Sequence, residues 1–112
     1  MTNTIQKLKI IPCTSTRTGE AVKNQYVISF PSGLAFQSYN SLIATYIDGV
    51  LTLGCDFDYS VTTSKYLHQF LYDYCYSIYK EIYNQFPKAK SLKEALYKAI
   101  KSGLIQYNEN MR

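Results

Sequence analysis

Up to about residue 60, apolar residues come in short runs rich in β-branched and aromatic side chains, separated by turn formers. That is the pattern of strands. LKIIPC at residues 8–13 predicts a first strand, ended by the turn-prone TSTRTGE. In QYVISF, residues 25–30, the side chains of Tyr26, Ile28 and Phe30 alternate onto one face, PSG turns the chain, and LAFQSY returns it as the second arm of a hairpin. LIATYI and VLTL flank Asp48-Gly49. Asp-Gly between apolar runs favours a tight turn whose two central residues take positive φ.

After Ser60 the punctuation disappears and a helical period takes over. Ser60, Thr62, Thr63 and Ser64 offer hydroxyls for an N-cap, and Leu67, Phe70, Leu71, Tyr74, Cys75, Ile78 and Ile82 recur at three- and four-residue steps. This is one core-facing stripe. Pro87 stops it, and Ser91 with Glu94 three residues on forms a capping box ahead of Leu92, Ala95, Leu96, Ala99 and Ile100, with Gly103 placed to close the helix. The tail LIQYNENMR is open between a short edge strand and a frayed end. The pattern predicts an α+β fold: a four- to five-stranded antiparallel sheet over about residues 5–55, followed by two C-terminal helices at about 62–86 and 91–102. The longer helix is expected to pack on one sheet face. With 112 residues, 46% of them apolar, the chain suffices for one modest core and is too short for two, so residues 1–112 are read as a single domain.

Residues 70–86, FLYDYCYSIYKEIYNQF, hold five of the twelve tyrosines. On a helix, Tyr74 joins the core stripe, while Tyr72, Tyr76, Tyr79 and Tyr83, at spacings of four, three and four, form a ridge beside it. Stripe and ridge together span about half the circumference, wider than the roughly 100° a helix needs to face one core. A second covering is therefore required. Part of it is expected from the second helix, and the remainder from a protein partner or a second copy of the chain, since tyrosine combines a large ring with a hydrogen-bonding tip.

Charge and chemistry narrow the classes. The net charge of +4 rests on lysine, with Arg17 and Arg112 the only arginines, so bidentate recognition of phosphate or guanine is poorly supplied. Lys88, Lys90, Lys93, Lys98 and Lys101 cluster around the second helix, and Thr63, Ser64 and Lys65 open the first. Both groups are candidates for anion or nucleic-acid contact, weighed against plain solubilisation and helix capping. His68 is the only histidine, with neither an orienting partner nor a nucleophile spelled nearby. Asp56 and Asp58 make a D-x-D pair short of a calcium loop, and Gly33, Gly49 and Gly54 are isolated turn glycines. No enzyme, cofactor or metal is expected. Cys13, Cys55 and Cys75 lack CxxC spacing and read as reduced thiols. No apolar run approaches the roughly 20 residues that cross a bilayer, and the polar start lacks the apolar core of a secretory signal. A soluble, intracellular protein without membrane contact is expected.

The block FQSYNSLIATYIDGVLTLGCDFDYSVTTSKYLHQFL, residues 36–71, resembles small proteins of bacteriophages and mobile elements of Gram-positive bacteria. The shared pieces are Phe36-Gln37-Ser38-Tyr39, Ile43-Ala44, the Asp48-Gly49 turn and DYSVTTSK at residues 58–65. Family members often carry histidine after that lysine, where this chain has Tyr66 and places His68 two positions on. The resemblance implies a phage accessory protein acting in the cytoplasm of a bacterial host cell. It further implies inhibition by binding a host or defence protein, a CRISPR effector among the targets, through the aromatic helix surface. The alternative is a nucleic-acid-binding accessory protein using the lysine-rich second helix.

Overall fold

Turn chemistry sets the order of the first five strands. In the computed structural model, which describes residues 8–112, β1 (Lys9–Thr14), β2 (Ala21–Phe30), β3 (Gly33–Ser38), β4 (Ser41–Ile47) and β5 (Val50–Gly54) form an antiparallel meander. Residues 5–7, where the strand region is expected to begin, lie outside the described residues. Asp48 (φ 52°) and Gly49 (φ 78°) both take left-handed backbone between β4 and β5, as the Asp-Gly pair demands. A sixth strand, β6 (Gln106–Asn108), resolves the open reading of the tail: it pairs with β5 in parallel. Parallel pairing needs a long crossover, and the intervening helices supply it.

The helices are α1 (Val61–Tyr74), α2 (Tyr76–Gln85) and α3 (Leu92–Ser102). Of the hydroxyl cluster, Ser60 is the cap, accepting the Thr63 N–H at 3.1 Å. Ser91 accepts the Glu94 N–H at 3.1 Å, and Gly103 closes α3 at φ 85°. The expectation of one long helix over 62–86 is corrected. Cys75 (φ −127°, ψ 39°) leaves the helical conformation, its N–H closing α1 on Leu71 O and its C=O accepting from Tyr79 N–H, each at 3.0 Å. A straight helix of that length would run about 37 Å, against about 24 Å across six strands. Bending at the buried Cys75 keeps Ile82 inside the core. The packing prediction narrows with it: α1 lies on the sheet, Phe70 stacking on Phe36 of β3 at 5.7 Å, whereas α2 packs against α1 and α3.

Cross-strand register defines the two faces. One carries the row Ile11, Val27, Phe36, Ala44, Leu53 and the row Ser29, Leu34, Tyr46, Leu51. This inner face meets Leu67, Phe70, Leu71 and Leu96 in a single core, each such side chain contributing about 1.5–3 kcal/mol on burial. Gln25 and Ser38 pair at the end of the same face, and the fully buried Gln25 amide has no hydrogen-bond partner among the described residues. The other face carries the rows Pro12, Tyr26, Gln37, Leu42, then Ile10, Ile28, Ala35, Thr45, Thr52, then Phe30, Gly33, Ile47, Val50. The alternating set Tyr26, Ile28 and Phe30 is thus turned away from the helices.

Candidate protein-binding surface

The tyrosine ridge survives the break at Cys75. Tyr72, in the last turn of α1, meets Tyr76 and Tyr79 of α2 edge to face, with ring centroids 5.3 and 5.4 Å apart. Tyr79 also packs on Tyr76 at 5.9 Å and Tyr83 at 5.1 Å. Such tilted pairs suit the ring quadrupoles and add about 0.5–1.5 kcal/mol each beyond burial. Tyr79 is the hub. His68, one turn before Tyr72, stacks on the Tyr79 ring at 5.4 Å, and its Nε2 is hydrogen-bonded to the phenol oxygen at 2.8 Å.

Exposure divides the ridge. Tyr72 is 54% and Tyr76 51% exposed, while Tyr79 and Tyr83 are half-buried. Burial raises the phenol pKa of Tyr79, and the neighbouring phenols of Tyr83, Tyr72 and Tyr76 raise it further. Burial raises Tyr83 as well. Tyr74, assigned by spacing to the core stripe, is a correction: it is exposed, because the chain leaves the helix at the next residue and the stripe is interrupted there. A cavity of about 640 Å³ opens beside the ridge between Lys65, His68, Tyr72, Asp73 and Tyr79.

The start of α1 is engaged internally. Thr63 is buried; its Oγ1 lies 2.9 Å from Ser38 Oγ and accepts from Ser60 Oγ at 3.1 Å. The Ser64 N–H is bonded to Ser60 O at 3.0 Å. Ser60 and Thr63 cap the helix and tie it to β3, and Lys65 stands exposed beside them. Its ammonium lies 5.4 Å from the centre of the Tyr66 ring. Two stretches of the block at residues 36–71 converge here, since Ser38, Tyr39, Tyr59 and Ser60 line one cleft of about 500 Å³.

The remaining candidates scatter. Lys88 and Lys90 are exposed, while Lys93 lies 3.9 Å from Asp58 and Lys98 lies 3.9 Å from Glu94. Asp58 also accepts from the Tyr97 hydroxyl, and Asp56 accepts from Ser41 at 3.0 Å, so the two carboxylates serve different neighbours. Among the described residues no group of three His, Cys, Asp or Glu side chains could hold a metal ion. Burial pushes the Cys13 thiol up to about 11 and the Cys75 thiol up to about 12. No described helix is long and apolar enough to cross a membrane.

A family model, that of a family of unknown function (DUF8033), matches residues 8–85. The chain belongs to that family. The DUF8033 match takes in the sheet from β1 to β5 and the whole tyrosine ridge, and it stops before Lys88, Lys90 and α3. No curated protein and no solved structure matches the chain. Sequence reasoning found the four tyrosines and missed the His68–Tyr79 contact. Eleven residues along a straight helix would hold the two side chains about 16 Å apart, so the contact exists because the chain bends at Cys75 between them.

Proposed function

We propose that this protein is a non-enzymatic binding module that docks on a protein partner through the α1–α2 aromatic surface. One observation carries the reading. Four tyrosines and a histidine form a continuous cluster whose outer members, Tyr72 and Tyr76, stand about half exposed while Tyr79 and Tyr83 anchor them. Rings already packed against one another lose little side-chain entropy on binding, and tyrosine is enriched among residues that dominate interface energy. The resemblance of residues 36–71 to phage and mobile-element proteins supplies the partner class: a host or defence protein, such as a CRISPR effector, inhibited by occupation.

The test compares wild type with Tyr72→Ala and Tyr76→Ala in capture from a bacterial host lysate, with melting temperatures measured in parallel. Each variant should melt close to wild type and weaken capture by more than about 1 kcal/mol. Undiminished capture by both would remove the aromatic surface from the mechanism. Binding to single-stranded oligonucleotide that falls steeply with salt, and is lost in Lys88→Gln with Lys90→Gln, would replace this reading by the nucleic-acid one.

A further inference from the structure

The outer face of the sheet is a second surface, independent of the aromatic ridge. An antiparallel sheet with helices on one side normally shows polar residues on the other. Here the outer rows instead carry Ile10, Tyr26, Ile28, Phe30, Ile47 and Val50, with Ile10 61% and Val50 47% exposed. None of these six joins the core cluster or the side chains packed against it. Not one residue of the three outer rows is Asp, Glu, Lys or Arg.

We propose that this face is the interface of a homodimer in which two copies pack sheet against sheet. The absence of charge selects the occupant. A patch whose three central rows carry no charge meets its own copy there with no like-charge repulsion, whereas nucleic acid or a charged protein patch would lose its hydration against those rows and gain no ion pair. The size is sufficient: five strands about 4.8 Å apart and five to six residues long give a patch of about 24 by 20 Å, or ~480 Å² per copy in projection. Upright side chains add to that figure, so the two copies together clear the ~1,000 Å² expected of a specific interface. The product is a β-sandwich with its two sheets about 10 Å apart. The helical layers lie on its outside, so each dimer presents two aromatic clusters.

Sedimentation equilibrium at about 100 µM chain, with melting temperature followed against concentration, tests the dimer. Wild type should have twice the chain mass of 12.9 kDa and a melting temperature that rises with concentration. Ile28→Lys and, separately, Thr45→Lys place two like charges face to face at the centre of the interface. Each should raise the dimer dissociation constant by at least about 100-fold and leave the far-UV circular dichroism unchanged. Tyr72→Ala and Tyr76→Ala should remain dimeric. A monomeric wild type at that concentration, a lysine variant that folds and stays dimeric, or dissociation caused by the tyrosine variants would each overturn the proposal.

Discussion

Gly54 shows how far a single residue depends on distant chain. In the sequence it is one more turn glycine after an apolar run. In the structure a Cβ at Gly54 would lie 2.5 Å from the carbonyl oxygen of Met111 and 2.8 Å from that of Leu42. The tail is held against this point by the Cys55 N–H donating to Met111 O at 3.1 Å. Backbone cannot move aside as a flexible side chain can, so Gly54→Ala is expected to destabilise by about 1–3 kcal/mol, measured by urea unfolding. Gly19→Ala is the contrast. Gly19 has nothing within 4 Å of its absent Cβ and φ 76°, so there the change costs only left-handed strain, about 1–2 kcal/mol. The contact at Gly54 joins positions far apart in the sequence, which no local pattern contains. The link from Asp58 to Tyr97 and Lys93 is of the same kind.

At the scale of elements, capping chemistry was legible and the bend was not. Ser60, Ser91, Pro87 and Gly103 act through bonds within four residues, so their roles can be read from neighbours alone. Ser60 accepts the Thr63 N–H and donates to Thr63 Oγ1, which in turn meets Ser38 of β3. Ser60→Ala should therefore cost about 1–2 kcal/mol, at the upper end for a cap, while Thr62→Ala beside it should stay within about 0.5 kcal/mol. Equal losses at the two positions, by thermal or urea unfolding, would show that the hydroxyl chain contributes nothing. The break at Cys75 has no proline or glycine to announce it. It follows from a helical segment longer than the sheet it must cover, a condition set by the whole fold.

For the whole molecule, the shifted acids give stability a defined pH dependence. Cys13 and Cys75 rise in the folded protein from 9.0 to about 11 and about 12. The phenols of Tyr74, Tyr79 and Tyr83 rise from 10.0, chiefly through burial, and that of Tyr97 chiefly through its hydrogen bond to Asp58. The native state then holds these protons more tightly than the unfolded chain does. Their contribution is complete below pH 9 and is lost as pH rises from 9 through the folded values. Urea midpoints should be level from about pH 7 to 8.5 and fall above 9, by up to about 1.4 kcal/mol per pH unit for each group titrating only in the unfolded chain. Cys75→Ala should flatten the first part of that fall. A wild-type profile level to pH 11 would contradict the assigned burial of both thiols.

The sequence alone determined the strand-then-helix order, the Asp48-Gly49 turn, both helix caps and the spacing that lines up Tyr72, Tyr76, Tyr79 and Tyr83, because each depends on backbone preferences and periodicities that act over a few residues. The core-facing stripe of the helices was legible too, Leu67, Phe70, Leu71, Ile82, Leu96 and Ala99 all being buried, whereas tertiary structure alone decided which side of β2 is buried and where α1 ends. β2 carries two rival sets, Gln25, Val27 and Ser29 against Tyr26, Ile28 and Phe30, and alternation cannot choose between two partly apolar faces. The more apolar set faces outward, because register with β1 and β3 aligns Val27 with Ile11 and with Phe36, which lies beneath Phe70. Likewise Tyr74 shares the helical spacing of the core stripe and is exposed, since one residue later the bend at Cys75 turns the chain. Burial is a property of what packs above a residue, and that neighbour is supplied by chain that folds in from elsewhere.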